Sequence, residues 1–122
     1  MNYEDIAKQK LTKKEYDILI NKGTEPPFSG EYDDFFEKGT YNCKLCGFEL
    51  FNSEDKFDSG CGWPSFAKAK NVELKKDYSH NMIRTEVICK NCKGHLGHVF
   101  DDGPKPTGKI YCINSLSIDF SK

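Results

Sequence analysis

The chain has 122 residues, of which 30% are charged, and its formal net charge is −1. This length suits one compact domain, which is expected to span residues 1–122. No apolar run approaches the roughly 18 residues of a membrane span, and the N-terminal stretch lacks the apolar region of a secretory signal. Nucleic acid is not expected as a partner, because phosphate binding needs a basic face. We therefore expect a cytoplasmic monomer without a membrane partner.

The N-terminal part of the chain carries the helix signals. Thr12 can cap a helix, Glu15 can complete a capping box, and Gly23 can end that helix. Consecutive prolines exclude helix from residues 25–32, whereas residues 33–39 are expected to form one or two helical turns. Residues 1–39 are therefore predicted to be a helical segment packed on a β core of residues 40–120.

From residue 40 onward the pattern is that of a β domain. Short segments lie between clusters of Gly, Asn, Asp and Pro, and residues 82–89 have the β-branched content and alternation of a strand. Residues 109–120 alternate as well. A single straight strand there would place Cys112 on the same face as the apolar side chains. The predicted fold is mainly β and antiparallel.

Four of the six cysteines form two Cys-x-x-Cys pairs. Four thiolates are the tetrahedral set that Zn²⁺ takes in closed structural sites, and this zinc would tie the chain together across a long insertion. A glycine near each pair, Gly47 and Gly94, is expected to let the chain turn around the metal. A redox dithiol and an iron–sulfur cluster remain alternatives. The four predicted ligands are Cys43, Cys46, Cys89 and Cys92.

Two cysteines, Cys61 and Cys112, remain outside this set. Both could be small buried core residues, which is common for free cysteine. The two histidines His95 and His98 lie shortly before Cys112 in the sequence, and a histidine can deprotonate a thiol or deliver a proton. Either histidine could instead be a core residue, and the pair could bind a metal with further ligands. From the residues alone, core, catalytic and metal-binding roles all remain alternatives for these cysteines and histidines.

Four stretches of the sequence carry a family resemblance. They are "GTEPPFSGEY", "KFDSGCGWPSF", "RTEVICKNCKGHLGHVFDDGP" and "YCINSLS". Together they resemble the methionine-(R)-sulfoxide reductases of the B type, from about Leu11 to Phe120. The resemblance implies a small domain of two antiparallel sheets with short N-terminal helices. Zinc-containing members have two Cys-x-x-Cys pairs at the matching places.

The resemblance also implies a reaction, the reduction of the R epimer of methionine sulfoxide, protein-bound or free, to methionine. Cys112 matches the nucleophile, which would become a sulfenic acid. His98 and His95 match the groups that orient the substrate and supply a proton. Cys61 matches the resolving cysteine, which would form a Cys61–Cys112 disulfide that a thioredoxin-type dithiol reduces. Repair of oxidised proteins under oxidative stress would follow.

Further positions match the family's substrate pocket. Trp63 and Phe100 would surround the S-methyl group of the substrate, although a lone tryptophan in a small domain is often a core anchor. Asn114 would hydrogen-bond into the site, and Asp102 matches an acidic residue of the family. The chain departs from the family at Ile110, where an arginine is common, so less help from a neighbouring cation is expected near the thiol.

Two hypotheses from other classes compete with the reductase. A zinc-stabilised module could hold a peptide or nucleic acid on Trp63 and the surrounding aromatic side chains, and it would need neither Cys61 nor Cys112. A thiol redox sensor would form the Cys61–Cys112 disulfide without producing methionine.

Overall fold

The computed structural model describes residues 3–122, apart from the side chain of His80. Two short helices, α1 (Tyr3–Lys10) and α2 (Lys13–Leu19), precede the strands. The strands are β1 (Thr40–Cys43), β2 (Glu49–Asn52), β3 (Lys56–Phe57), β4 (Ser65–Phe66), β5 (Val72–Asp77), β6 (Arg84–Cys89), β7 (His95–Phe100), β8 (Ile110–Ile113) and β9 (Ile118–Ser121). Among the described residues, no helix is long and apolar enough to cross a membrane.

The helix α2 begins with the capping box that the sequence predicts. The Thr12 hydroxyl accepts a hydrogen bond from the Glu15 N–H at 3.2 Å, and the Glu15 carboxylate accepts one from the Thr12 N–H at 3.0 Å. This reciprocal pair satisfies two of the donors that a helix start leaves free. The helix ends at Leu19, which is buried in the core.

The predicted helical turns in residues 33–39 are wrong. Only turns are present, at residues 31–34, and the chain from there to β1 is irregular. Tyr32 and Phe35 pack edge to face at 5.3 Å between ring centroids, and Phe35 packs in the same way on Phe120 at 4.8 Å. Packing against β9 therefore decides the conformation, so the helical part of the 1–39 segment lies within Tyr3–Leu19.

The nine strands form two antiparallel sheets, which confirms the predicted fold class. The smaller sheet has the order β2-β1-β9, and the larger has the order β3-β4-β8-β7-β6-β5. Buried aromatic side chains lie at the centre of the core, where Phe51 and Phe66 stack at 4.4 Å and Tyr41 meets Phe66 edge to face. A single core thus joins the two sheets.

Residues 109–120 do not form one strand. The chain leaves the larger sheet after β8, makes a 3-10 turn over Ser115–Ser117, and enters the smaller sheet as β9. In β8 the fully buried side chain is Ile113, and Tyr111 also packs on the core, whereas Cys112 is half-buried. The prediction that Cys112 shares a face with the core residues is therefore wrong. Cys112 points to the opposite side of the sheet.

Candidate active site and metal centre

The four cysteines of the Cys-x-x-Cys pairs converge on one point. Their sulfur atoms all lie within 4.8 Å of one another, with 3.5 Å between Cys43 and Cys92 and 3.5 Å between Cys46 and Cys89. Zn–S bonds of about 2.3 Å in a tetrahedron would separate the sulfurs by roughly 3.8 Å. The cluster therefore has the size and the donor set of a four-thiolate metal site.

The backbone makes the same turn around each cysteine pair. Gly47 donates to the carbonyl of the first cysteine of its pair at 2.9 Å, and Lys93 does so in the second pair at 2.8 Å. Both have positive φ, 84° for Gly47 and 66° for Lys93. The turn expected at Gly94 thus falls on Lys93. Gly94 instead makes room for a core side chain, because a Cβ there would lie 2.9 Å from Leu19 Cδ2.

A second site lies on the face of the larger sheet to which Cys112 points. It is a cavity of about 240 Å³ that contains all but two of the predicted catalytic and substrate-binding residues. A larger cavity of about 580 Å³, between α2 and the Ser115–Ser117 turn, has no cysteine or histidine in its lining. The smaller cavity is therefore the candidate active site. Its lining residues are Thr24, Cys61, Trp63, Arg84, Gly97, His98, Phe100, Cys112 and Asn114.

The two cysteines of this cavity are adjacent. Cys112 lies on β8, Cys61 lies on the loop between β3 and β4, and their sulfur atoms are 3.4 Å apart. Gly97 on β7 leaves space beside them, since a Cβ there would collide with the Cys112 carbonyl oxygen. Both thiols are reduced. A disulfide bond is about 2.05 Å long, so a modest closure would join them.

The pKa values of the two thiols are shifted in opposite directions. Burial raises the pKa of Cys112 to about 12, with smaller contributions from Cys61 and from the charge of Asp102. Burial also acts on Cys61, but hydrogen bonds to Ser59, Ser65, Trp63 and Cys112 outweigh it and lower the pKa of that thiol. Cys61 is therefore the more acidic of the two.

His98 lies beside Cys112 on the neighbouring strand, as its cross-strand partner in the β7–β8 pairing. Its Nε2 is 2.8 Å from Oδ2 of Asp77. This hydrogen bond is the main reason why the pKa of Asp77 lies far below its usual range. Arg84 approaches the same carboxylate oxygen at 3.4 Å and lines the cavity. Asp77 and Arg84 form the last pair of the β5–β6 ladder, and no pattern in the sequence singles out either residue.

His95 does not line the cavity. It is 3% exposed, and its Nδ1 lies 2.7 Å from a carboxylate oxygen of Glu86, which is equally buried and which Lys22 approaches at 3.3 Å. Burial lowers the pKa of His95 despite this carboxylate. The rings of His95 and His98 meet edge to face at 5.5 Å. His95 therefore contacts the pocket through His98 rather than directly.

Glu25 holds two pocket residues in place, although the sequence analysis did not single it out. Its carbonyl accepts a hydrogen bond from the Trp63 indole N–H at 3.0 Å, and its N–H donates to the Asn114 side chain at 3.0 Å. Asn114 also donates to the carbonyl of Leu96 at 3.0 Å. Both ends of the Asn114 side-chain amide therefore already form hydrogen bonds with backbone groups. The Glu25 carboxylate accepts from the Leu116 N–H at 3.0 Å.

Two further positions named from the sequence, Asp102 and Ile110, lie outside the cavity lining, as His95 does. Asp102 is exposed on the loop after β7, and Ile110 is half-buried opposite Phe100. Phe100 does line the cavity and is 39% exposed. A different cation, Arg84 from β6, lines the cavity.

Known proteins match almost the whole chain. The model of the family described as "SelR domain" matches residues 11–122. A protein of Acinetobacter baylyi is 54% identical over 113 residues, which are 90% of this chain and 81% of the relative. A protein of Hahella chejuensis is 53% identical over 116 residues, covering 93% and 84% respectively. Both are named peptide methionine sulfoxide reductase MsrB.

A solved structure shares the fold at much lower sequence identity. The crystal structure of the Mis18 "Yippee-like" domain superposes with a TM-score of 0.56 at 15% identity, over 70% of this chain and 97% of that domain. This similarity concerns the fold alone. The family model and the two relatives show more, and the chain belongs to the SelR-domain family, the methionine-R-sulfoxide reductases of the B type.

Proposed function

We propose that this chain reduces the R epimer of methionine sulfoxide, in proteins and as the free amino acid, and thereby repairs oxidised proteins. The observation that carries the proposal is the pair of reduced sulfurs, Cys61 and Cys112, 3.4 Å apart in one cavity. An imidazole and an indole, His98 and Trp63, line the same cavity. A thiol pair beside a proton carrier and an aromatic surface fits reduction of a methyl sulfoxide.

In the first step Cys112 attacks the sulfoxide sulfur. Its thiol has a pKa raised to about 12 by burial, so it enters the step protonated. The oxygen passes from the sulfoxide to the Cys112 sulfur, so that a thiol and a sulfoxide give a sulfenic acid and a thioether. This step needs no other oxidant or reductant. The proton must pass from sulfur to the sulfoxide oxygen, and His98 is the carrier in the cavity. Asp77 orients its imidazole, while His95 supports the same ring from the buried side.

The substrate's methyl group would lie between Trp63 and Phe100. Both side chains line the cavity. A protonated sulfoxide sulfur carries positive character, which the face of an indole tolerates. Asn114 would hold the cavity wall in place through its side-chain hydrogen bonds. The negative charge of Asp102 would contribute to the raised pKa of Cys112. The anchored indole, held by Glu25, would distinguish the two sulfoxide epimers.

In the second step Cys61 attacks the sulfenic acid on Cys112. The products are a Cys61–Cys112 disulfide and water. A thioredoxin-type dithiol would then reduce this disulfide, because Cys61 lies on a loop and is partly exposed. We infer a cytoplasmic monomer as the working form.

The four-cysteine cluster would hold one structural Zn²⁺. Its sulfur separations fit four Zn–S bonds, and four thiolates leave no position for substrate. The metal would supply a cross-link and no catalytic step. The helix α1 contacts both cysteine turns, since Tyr3 accepts a hydrogen bond from Asn91 and Lys10 donates to the Leu45 carbonyl. The cross-link therefore stabilises the N-terminal segment as well as the sheets.

The proposed function is tested by measuring turnover of the R and the S epimer separately. The native chain is given the R or the S epimer of methionine sulfoxide, with dithiothreitol or thioredoxin as reductant, and methionine is quantified. We expect methionine from the R epimer alone. No methionine from either epimer, together with a Cys61–Cys112 disulfide after peroxide, would instead identify a redox sensor and overturn the proposal.

A further inference from the structure

Ser65 lies between the two thiols. It is a β4 residue, 1% exposed, and it pairs with Cys112 in the β4–β8 ladder. Its hydroxyl oxygen is 3.3 Å from the sulfur of Cys61 and 4.0 Å from the sulfur of Cys112. Among the described residues with hydroxyl groups, Ser65 is the one for which contacts to both sulfurs are found. The Ser65 hydroxyl, a hydrogen-bond donor, therefore lies beside the sulfur–sulfur bond that forms in the second step.

The neighbours of Ser65 determine where its proton can point. A serine hydroxyl has one donor and two acceptor positions. Ser59 lies 2.6 Å from Ser65 between hydroxyl oxygens, and Ser59 itself accepts from the Cys61 N–H at 3.3 Å. When Ser59 donates to Ser65, the Ser65 proton can go to the Trp63 carbonyl at 3.1 Å or to the Cys61 sulfur.

These two orientations correspond to the two protonation states of Cys61. A neutral Cys61 thiol can donate to Ser65 or to the Trp63 carbonyl, which lies 3.5 Å from its sulfur. A thiolate can only accept, and a hydrogen bond to a charged acceptor is stronger than one to a neutral acceptor. Rotation of one hydroxyl from the Trp63 carbonyl to the sulfur would therefore favour the thiolate.

We propose that Ser65 is a catalytic residue of the resolving step, donating its hydroxyl hydrogen bond to the Cys61 thiolate as that thiolate attacks the sulfenic acid on Cys112. The inference rests on the proposed reductase function and adds a residue to it. The sulfur–sulfur bond forms as the sulfur–oxygen bond of the sulfenic acid breaks. The hydroxide that leaves takes up the proton that Cys61 has lost, so thiol and sulfenic acid give disulfide and water.

The acidity of Cys61 supports this assignment. Burial alone would raise the pKa of this thiol, but hydrogen bonds to neighbouring groups, Ser59 and Ser65 foremost, lower it. The attacking species is the thiolate, so loss of the donor would reduce the attacking fraction at neutral pH. A purely structural serine, bound to the Trp63 carbonyl, would leave this acidity unchanged.

The test separates the two chemical steps. The native chain and Ser65→Ala are mixed with the R epimer without any reductant, and both methionine and disulfide are followed in time by quenching and mass spectrometry. We expect native methionine formation in Ser65→Ala but disulfide formation slowed several-fold, because the thiolate fraction of Cys61 falls when the donor is lost. Dimedone, which traps sulfenic acid, should label Cys112 more heavily in the variant.

The pH profile is the readout that a structural role would not change. The rate of disulfide formation should rise with pH in both chains, and the rise should occur at higher pH in Ser65→Ala. Ser59→Ala, at an exposed position, should shift the profile in the same direction and remains informative if Ser65→Ala does not fold. Ser53→Ala, which loses a hydroxyl that accepts from the Gly39 N–H, is the control and should match the native chain.

The outcomes distinguish this inference from the reductase function. Native methionine formation with an unchanged disulfide rate and pH profile in Ser65→Ala and Ser59→Ala overturns the role of Ser65 alone. Absence of methionine in the native chain overturns the reductase function and the inference with it. Slower methionine formation in Ser65→Ala, with an unchanged disulfide step, also contradicts the inference, because it places Ser65 in the first step.

Discussion

The sulfur atoms of Cys61 and Cys112 lie 3.4 Å apart although 51 positions separate these residues in the sequence. One sulfur is on a strand, where β4 and β7 hold it from both sides, and the other is on a loop. The loop can therefore move to close the disulfide while the nucleophile keeps its place.

Removal of one metal ligand should destabilise the whole fold. Cys92→Ser leaves three thiolates, and the cross-link between distant parts of the chain weakens. We expect about one zinc per chain in the native protein by metal analysis, and a melting temperature at least about 10 °C lower in Cys92→Ser. Iron in place of zinc, or a stable protein without any metal, would contradict the structural-zinc assignment.

Glu25 should affect stability in a way that depends on pH. Burial raises the pKa of its carboxyl group, so its contribution to stability is complete below the unfolded-state pKa and is lost as pH rises through the folded-state pKa. Glu25→Gln keeps an acceptor for the Leu116 N–H without the charge. The free energy of unfolding of Glu25→Gln, relative to that of the native chain, should therefore increase as the pH rises above about 4, as measured by urea unfolding.

The same position should influence substrate binding. Glu25→Ala loses the buried hydrogen bond to Leu116, which we expect to cost about 1–3 kcal/mol of stability. The segment that holds the Trp63 indole would loosen, so KM for the sulfoxide should rise more than kcat falls. Equal stability and kinetics for Glu25→Ala and the native chain would refute this anchoring role.

Asp77 should be required for proton transfer by His98. In Asp77→Asn the imidazole loses its carboxylate partner at 2.8 Å, and with it the contact that orients the ring. We expect kcat/KM for the R epimer to fall about tenfold. Asp101→Asn is a matched control, because Asp101 pairs with Lys109 at an exposed position away from the cavity.

Introducing the family's arginine at position 110 should activate the thiol. A cation beside a thiolate lowers the pKa of the thiol, and Ile110 shares a strand face with Cys112. In a Cys61→Ser background, Ile110→Arg should increase the rate of Cys112 alkylation by iodoacetamide at pH 7 several-fold, whereas Ile110→Leu should not. An unchanged rate would indicate that Arg84 already provides the relevant charge.

The local signals in the sequence predicted local structure well. The capping box at Thr12 and Glu15, the strand ending at Cys89 and the four-cysteine cluster are all present. Each of these depends on short spacing, which a sequence shows directly. Alternation in residues 109–120 was also real, but it did not reveal which of its two faces is buried or that the chain bends after Ile113.

The residues that the sequence did not reveal act over long distances along the chain. Glu25 meets Asn114 at a separation of 89 positions and Asp77 meets His98 at a separation of 21. Glu25 lies in one of the stretches that resemble the family and Asp77 lies in none of them, but a single acidic residue gives no sign of a distant partner. Only the strand register, which places Asp77 opposite Arg84 at the end of the β5–β6 ladder, brings these charges to the cavity.

The most direct test of the central claim counts methionine per chain, with the R epimer in excess and no added reductant. We expect about one methionine per chain for the native protein and for Cys61→Ser. The native chain should end as the Cys61–Cys112 disulfide, and Cys61→Ser as a sulfenic acid on Cys112. Cys112→Ser should give no methionine. Native amounts of methionine from Cys112→Ser would contradict the assignment of Cys112 as the nucleophile.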